Sequence, residues 1–302
     1  MMGLMTSSDP LIFPELDPDP APFVLTRAAK SSALVFASPH SGRHYPASLM
    51  EATRLDDLSI RQSEDGYVDR LIAGGPTQGA SLIAATYGRA YLDVNRSPLE
   101  LDPDMFEGDL PPDQVRASAR VSAGLGVIAK VVAEGQEIYR HRLAPLEAQA
   151  RLEAVHGPYH AALSELLAQT QRTHGLVVLI DWHSMPSAAS GGGWGRAGSD
   201  FVLGDRHGTS CGSGLTRLVD ESLTRMGYQV ARNSPYAGGY TTEHYGQPSE
   251  GIHALQIEIN RRLYLNEADM TLSSGFASLK RNLDRLIGIL VSRPWADHLI
   301  SA

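Results

Sequence analysis

The apolar positions of this chain fall into short unbroken runs separated by stretches of helical periodicity. In GLVVLIDWHSMPS, Gly175 to Ser187, no polar residue interrupts Val177 to Ile180. A run without alternation reads as a strand buried on both faces, as in a largely parallel sheet covered by helices. It ends at Asp181, which puts His183 at the carboxyl end of a central strand, the edge where open α/β sheets bind ligands. ALVFASPHSG, Ala33 to Gly42, repeats the arrangement, with a strand over Leu34 to Ser38 and His40 just beyond it. Between these runs, Val68, Leu71 and Ile72 recur at helical spacing over Asp65 to Ala73, and Ala80 to Asn95 reads as two strand-like segments broken by Gly88. Ser118 to Thr173 carries Ile138, Leu143, Leu146, Leu152, Tyr159, Leu163 and Leu166 at helical periods, predicting two helices interrupted at Pro145 or at Gly157-Pro158. A glycine-rich loop (Ser190 to Gly198), a strand FVLG, a helix from Ser213 to Met226, a turn-rich polar segment, a strand in ALQIEINRRLY and a helix from Ser273 to Ser292 complete the pattern. The order β-α-β-α-β-β-α-β-α predicts α/β architecture with a mostly parallel or mixed sheet. Residues 1–30, rich in Pro and Asp, read as an extended lead-in and residues 31–302 as a single domain, with no internal repeat or dividing linker.

Composition narrows the chemistry. With 42% apolar and 20% charged residues, the 302-residue chain is of globular type. A net charge of −8 leaves no electrostatic footprint for nucleic acid or an anionic membrane. No apolar run of membrane-spanning length and no secretory leader is evident, so a cytoplasmic location is the expectation. The single cysteine, Cys211, excludes an internal disulfide and a multi-thiolate metal site, so any metal must be held by His, Asp or Glu. Cys211 also has no evident base partner for nucleophilic work.

Two buried strands that deliver His40 and His183 to one sheet edge point to a metal site or a catalytic pair. Glu64-Asp65 opens a predicted helix, where a carboxylate serves equally as an N-terminal charge. Asp181 could orient an imidazole or end the strand. Glu258 stands in an otherwise apolar strand, where a period of two sends Leu255, Ile257 and Ile259 one way and Gln256, Glu258 and Asn260 the other. That polar face implies an exposed edge or a lined cavity; in a cavity Glu258 suits a general base. Arg96, in YLDVNRSP, is placed to grip a carboxylate from a Ser-Pro turn, and Arg89 could serve the same anion or pair with Asp93. Gly238-Gly239-Tyr240 and His244 lie in a permissive loop of the kind that covers a substrate. His44 lacks the helical context that a ligand pair with His40 requires, and Gly157-Pro158 is expected to break the turn aligning His156 with His160. GGGWGRAG matches a phosphate loop only in its glycines.

SPHSGRHYP, SEDGYVDRL, GRAYLDVNRSP, HGPYHAAL, LIDWHSMP, DFVLGDRHGTSC and NSPYAGGYTTEHYG through LQIEINRRLY follow one another across residues 33–267. In this set the chain resembles the N-formylglutamate amidohydrolase family, related to zinc carboxypeptidases and aspartoacylases. The resemblance implies a three-layer α/β/α fold of the zinc exopeptidase kind and metal-assisted hydrolysis of a small dianionic N-acyl amino acid. It makes His40, His183 and Asp65 zinc ligands, Glu258 the general base, and Asn95-Arg96 the grip on the substrate α-carboxylate, with Arg89, Tyr240 and Arg43 as further substrate contacts. Position 43 is Arg where the carboxypeptidases carry a ligand Glu three residues after the first His, which leaves Glu64 as the alternative to Asp65. N-formyl-L-glutamate is the implied substrate, with another N-acyl amino acid, a small peptide, or a non-catalytic binding role as the competing readings.

Overall fold

A strand with no polar face must be covered on both sides, and the chain's longest apolar runs therefore occupy the middle of a sheet. The computed structural model describes residues 20–132, 135–190 and 198–299. Most of the expected lead-in and residues 191–197 of the glycine-rich loop lie outside them. Among the described residues, the main sheet contains β1 Phe23–Thr26, β2 Leu34–Ser38, β3 Ser81–Ala85, β4 Val177–Met185, β5 Phe201–Gly204, β6 Val230–Arg232 and β7 Ile252–Asn260, in the order β1-β3-β2-β4-β7-β5-β6. Neighbours are parallel except β1 on β3 and β5 on β7.

The two faces bury alternate residues of the same strands. Val35, Ala37, Val177 and Leu179 pack on one side with Val155, Tyr159 and Leu163 of the helical run Pro145–His174. Leu34, Phe36, Val178, Ile180 and Trp182 pack on the other, against the helices Ser213–Arg225 and Phe276–Val291. Burying each such side chain contributes about 1.5–3 kcal/mol, so the layers fix which strands are central and which end of them stays open. The expected α/β/α layering and mixed sheet are found. No helix among the described residues is long and apolar enough to cross a membrane.

Four expectations are corrected. Ala90 to Asn95 is not a second strand: it forms turns, tied to the 120s segment by Asp93 N–H donating to the Val127 carbonyl at 2.8 Å, with Leu92 and Val94 buried in the core instead of in a ladder. Ile138 and Leu143 are buried from an irregular segment; after the single turn Ala119–Ser122, α-helix resumes at Pro145, whose missing N–H costs nothing in a first turn. Gly157-Pro158 does not break the following helix, because a wide π turn over Leu152–His156 absorbs the donor that Pro158 lacks. The helix expected over Asp65 to Ala73 shrinks to Val68–Leu71, since Tyr67 at its start adopts a left-handed φ of 62°. Glu64 and Asp65 therefore sit in a turn. Beyond these, β4 continues past Asp181 to Met185, because β7 pairs with it as far as Asn260. β1 falls inside the stretch read as lead-in, and Tyr240–Tyr245 forms a short helix in the segment read as turns.

Candidate active site

The carboxyl ends of β2, β4 and β7 meet at a cavity of about 820 Å³ whose walls include His40, Asp65, His183 and Glu258. His40 follows β2 by two residues, whereas His183 lies within β4, directly opposite Glu258 of β7 in the parallel register. Asp65 arrives from the turn beyond, held by its own N–H donating to the His40 carbonyl at 2.9 Å. Its Oδ2 stands 3.2 Å from His40 Nδ1 and 2.9 Å from His183 Nδ1, and all three side chains are buried.

These residues offer donor atoms that all lie within 4.8 Å of one another. Ligands about 2.0–2.1 Å from a tetrahedral zinc would be roughly 3.3 Å apart, close to the two separations from Asp65. The outer nitrogens are also accounted for: His40 Nε2 faces Asp93 Oδ1 at 2.6 Å and His183 Nε2 faces Asp181 Oδ2 at 2.9 Å. Carboxylates in those places fix ring orientation and direct both Nδ1 atoms inward, as metal-binding histidines require. Burial opposes the charge on Asp65, yet its bonds to His183 and His40 keep its carboxyl well below the usual range; burial likewise works against a charged His183, yet Asp181 and Asp65 hold its pKa well above the usual value. A divalent cation fits this donor set.

Glu64 is excluded from the cluster by its own contacts. Its Oε1 accepts from Tyr45 O–H at 2.7 Å and from Arg61 Nε at 3.0 Å, away from the imidazoles. Glu258 is not at an edge, since β7 lies between β4 and β5. It lines the cavity with Gln256, whose Nε2 donates to Glu258 Oε1 at 2.8 Å. Burial, helped by the charges of Asp65 and Asp181 and opposed by His183 and Arg89, raises its pKa to about 7.

Residues 32–265 match the family model described as N-formylglutamate amidohydrolase. The chain belongs to this family. It is 31% identical over 238 residues to the N-formylglutamate deformylase of Pseudomonas aeruginosa, covering 78% of this chain and 82% of that protein. The N-formylglutamate deformylase of Pseudomonas putida is 28% identical over 239 residues, with 78% and 83% covered. The crystal structure of N-formylglutamate amidohydrolase from Ralstonia eutropha superposes with a TM-score of 0.85 at 38% identity, over 90% of this chain and 97% of that one.

In this N-formylglutamate amidohydrolase family member, the other anticipated residues divide by location. Arg96 and Arg89 line the cavity, the former donating to the Leu125 and Asn95 carbonyls at 2.9 Å and the latter paired with Asp93 at 2.7 Å. Asn95 lines it too but is engaged, its Nδ2 lying 3.0 Å from His183 Nε2 and its Oδ1 accepting from Thr241 N–H at 2.7 Å. Gly239 presses on it so closely that a Cβ there would fall 2.4 Å from Asn95 Nδ2. Tyr240 is outside the cavity lining and stacks on His244; Tyr236 takes a place in the wall instead. Arg43 is also turned away, paired with Asp69 beside the Tyr67 ring. Cys211 is buried, which pushes its thiol up to about 12 and leaves it inert as a nucleophile.

His156 and His160 are aligned after all, with ring centroids 4.3 Å apart, and they bind backbone: His156 Nε2 donates to the Arg96 carbonyl at 3.0 Å and His160 Nε2 to that of Val94 at 2.8 Å. Burial drives the His160 pKa to about 3, so the ring is neutral and Nδ1 accepts from Tyr245 O–H at 2.9 Å. This pair clamps the loop that carries Asp93, Asn95 and Arg96. Two further residues matter that the sequence pattern did not single out in these roles. Arg261, buried just after β7, donates to the carbonyls of Gln62 and Glu64 at 2.9 and 2.6 Å and thereby holds the Asp65 turn. Asp93 orients His40, and Asp93→Asn is expected to weaken divalent-metal affinity about 10–100-fold with the fold intact, measured by metal titration beside a thermal melt. Unchanged affinity would remove Asp93 from the site.

Proposed function

We propose that this chain hydrolyses N-formyl-L-glutamate to formate and L-glutamate, with a divalent metal, zinc first among candidates, held by His40, Asp65 and His183. The observation that carries this reading is the position of Glu258, in register with His183 and facing the same cavity. When bound, the metal supplies Lewis acidity, polarising the formyl carbonyl and lowering the pKa of the attacking water. Glu258 accepts the water proton at its carboxylate and later delivers it to the nitrogen of the departing amino group. Gln256 occupies one carboxylate oxygen, Oε1, which leaves Oε2 for the proton. Arg96, buried and anchored by two carbonyls, binds the α-carboxylate.

The base must be ionised to work. Because burial raises the Glu258 pKa to about 7, kcat/KM is expected to climb through weakly acidic pH and level off above about 7. A cation in the triad favours the carboxylate, so the limb moves toward lower pH in the loaded enzyme. A profile of kcat/KM that stayed flat from about pH 5 to about pH 8 would speak against Glu258 as base. The function itself is tested by formate release from N-formyl-L-glutamate by the metal-loaded protein and after chelation. Release confined to other N-acyl amino acids, or none that depends on metal, would overturn the proposal.

A further inference from the structure

The cavity wall carries more positive charge than one substrate carboxylate requires. Among the described residues five guanidiniums line it: Arg89, Arg96, Arg120, Arg206 and Arg261. Three have a carboxylate within ion-pair reach, Arg261 with Asp65 at 3.5 Å, Arg89 with Asp93 at 2.7 Å and Arg206 with Glu243 at 3.4 Å. Among the described residues Arg96 has Asp93 alone within ion-pair distance, at a long 3.9 Å, and that carboxylate is already shared with Arg89 and His40. Arg120 has less still. Its Nη2 donates to the Gly238 carbonyl at 3.0 Å, and no carboxylate pairs with it among the described residues.

Arg96 and Arg120 are also fixed relative to each other. Glu100, buried behind them, accepts from the Ser97 N–H at 3.1 Å through one oxygen and from the Ser118 hydroxyl at 2.7 Å through the other. Ser118 caps the single helical turn that carries Arg120, its Oγ accepting from Val121 N–H. One carboxylate thus staples the Arg96 turn to the Arg120 turn, while Arg120 reaches over to Gly238 on the opposite rim. The two guanidiniums feel each other: burial lowers the pKa of Arg96, Asp93 opposes that, and the charges of Arg89 and Arg120 lower it further. A dianion is the ligand that relieves such a pair.

Building on the deformylase reading, we infer that Arg120 is the specificity residue that binds the side-chain carboxylate of the substrate, while Arg96 takes the α-carboxylate. Glu100 acts through both, setting the spacing at which two carboxylates are accepted.

The test compares kcat/KM for N-formyl-L-glutamate and N-formyl-L-glutamine, which differ only in the group that Arg120 would meet. Both are measured on one preparation, so any misfolded fraction cancels from the ratio. Wild-type enzyme is expected to prefer the glutamate substrate, and Arg120→Met to cut that preference about 30-fold or more through KM, with Arg120→Lys falling between. The inference is overturned if Arg120→Met keeps the wild-type preference, or if Arg206→Met abolishes it while Arg120→Met does not. Formate from neither substrate in the wild type overturns the deformylase reading and this inference together. A wild-type preference that survives Arg120→Met overturns only the inference.

Discussion

Glu258→Gln is expected to lower kcat for formate release by about 10³-fold or more while the protein keeps its metal and its melting temperature. The expectation rests on how little else the substitution alters. Glutamine matches glutamate in shape, its Oε1 can still accept from Gln256 Nε2, and β7 stays paired on both sides by β4 and β5. The residues proposed to hold the metal come from other segments, at His40, Asp65 and His183. What vanishes is the capacity to take a proton from water and return it to the leaving amine. Steady-state kinetics beside metal analysis of the same sample decides the matter. Activity within about tenfold of wild type would move the base elsewhere.

A comparable loss is expected on breaking the triad. Asp65→Asn removes the one carboxylate that, among the described residues, both imidazoles face, at 3.2 and 2.9 Å, and with it the negative charge that favours a cation there. Metal content at equal free metal should fall at least about tenfold and turnover to background, and chelation of the wild type should produce the same phenotype reversibly. Glu64→Gln is the informative companion, because Glu64 is engaged by Tyr45 and Arg61 and does not face either imidazole. Metal lost from Glu64→Gln and retained by Asp65→Asn would reverse the ligand assignment.

Much of this arrangement is legible in the sequence because burial writes itself into composition. Val177 to Ile180 and Leu34 to Ser38 have no polar face, so they can only be central strands, and His40 and His183 then fall at the functional edge. Glu258 is legible for the converse reason, as a carboxylate that period two places on a polar face of a covered strand. The choice between Glu64 and Asp65 is not legible, since it turns on tertiary contacts: the Asp65 N–H bonds the His40 carbonyl, while Tyr45 and Arg61 hold the Glu64 carboxylate. Asp93, Arg261 and Arg120 act across 53, 196 and 118 positions of chain, and no local pattern encodes those partners. The apolar residues of Ala90 to Asn95 mislead because burial in a loop leaves the same composition as burial in a strand.

The wide turn over Leu152–His156 has a consequence for how this protein can change length. An α-helix advances about 100° per residue, so deleting one residue from the α-helical Pro145–Arg151 would swing His160 about that far around the axis relative to the preceding turns, unless the wide turn gave up its extra residue. The Val94 and Arg96 carbonyls would lose their clamp, and the loop bearing Asp93 and Arg96 would drift although every residue lining the cavity was still present. Exposed positions of this stretch such as Leu146 should tolerate substitution far better than a single-residue gap, whereas Arg151, buried and donating to the Tyr91 carbonyl and the Tyr139 hydroxyl, should tolerate neither.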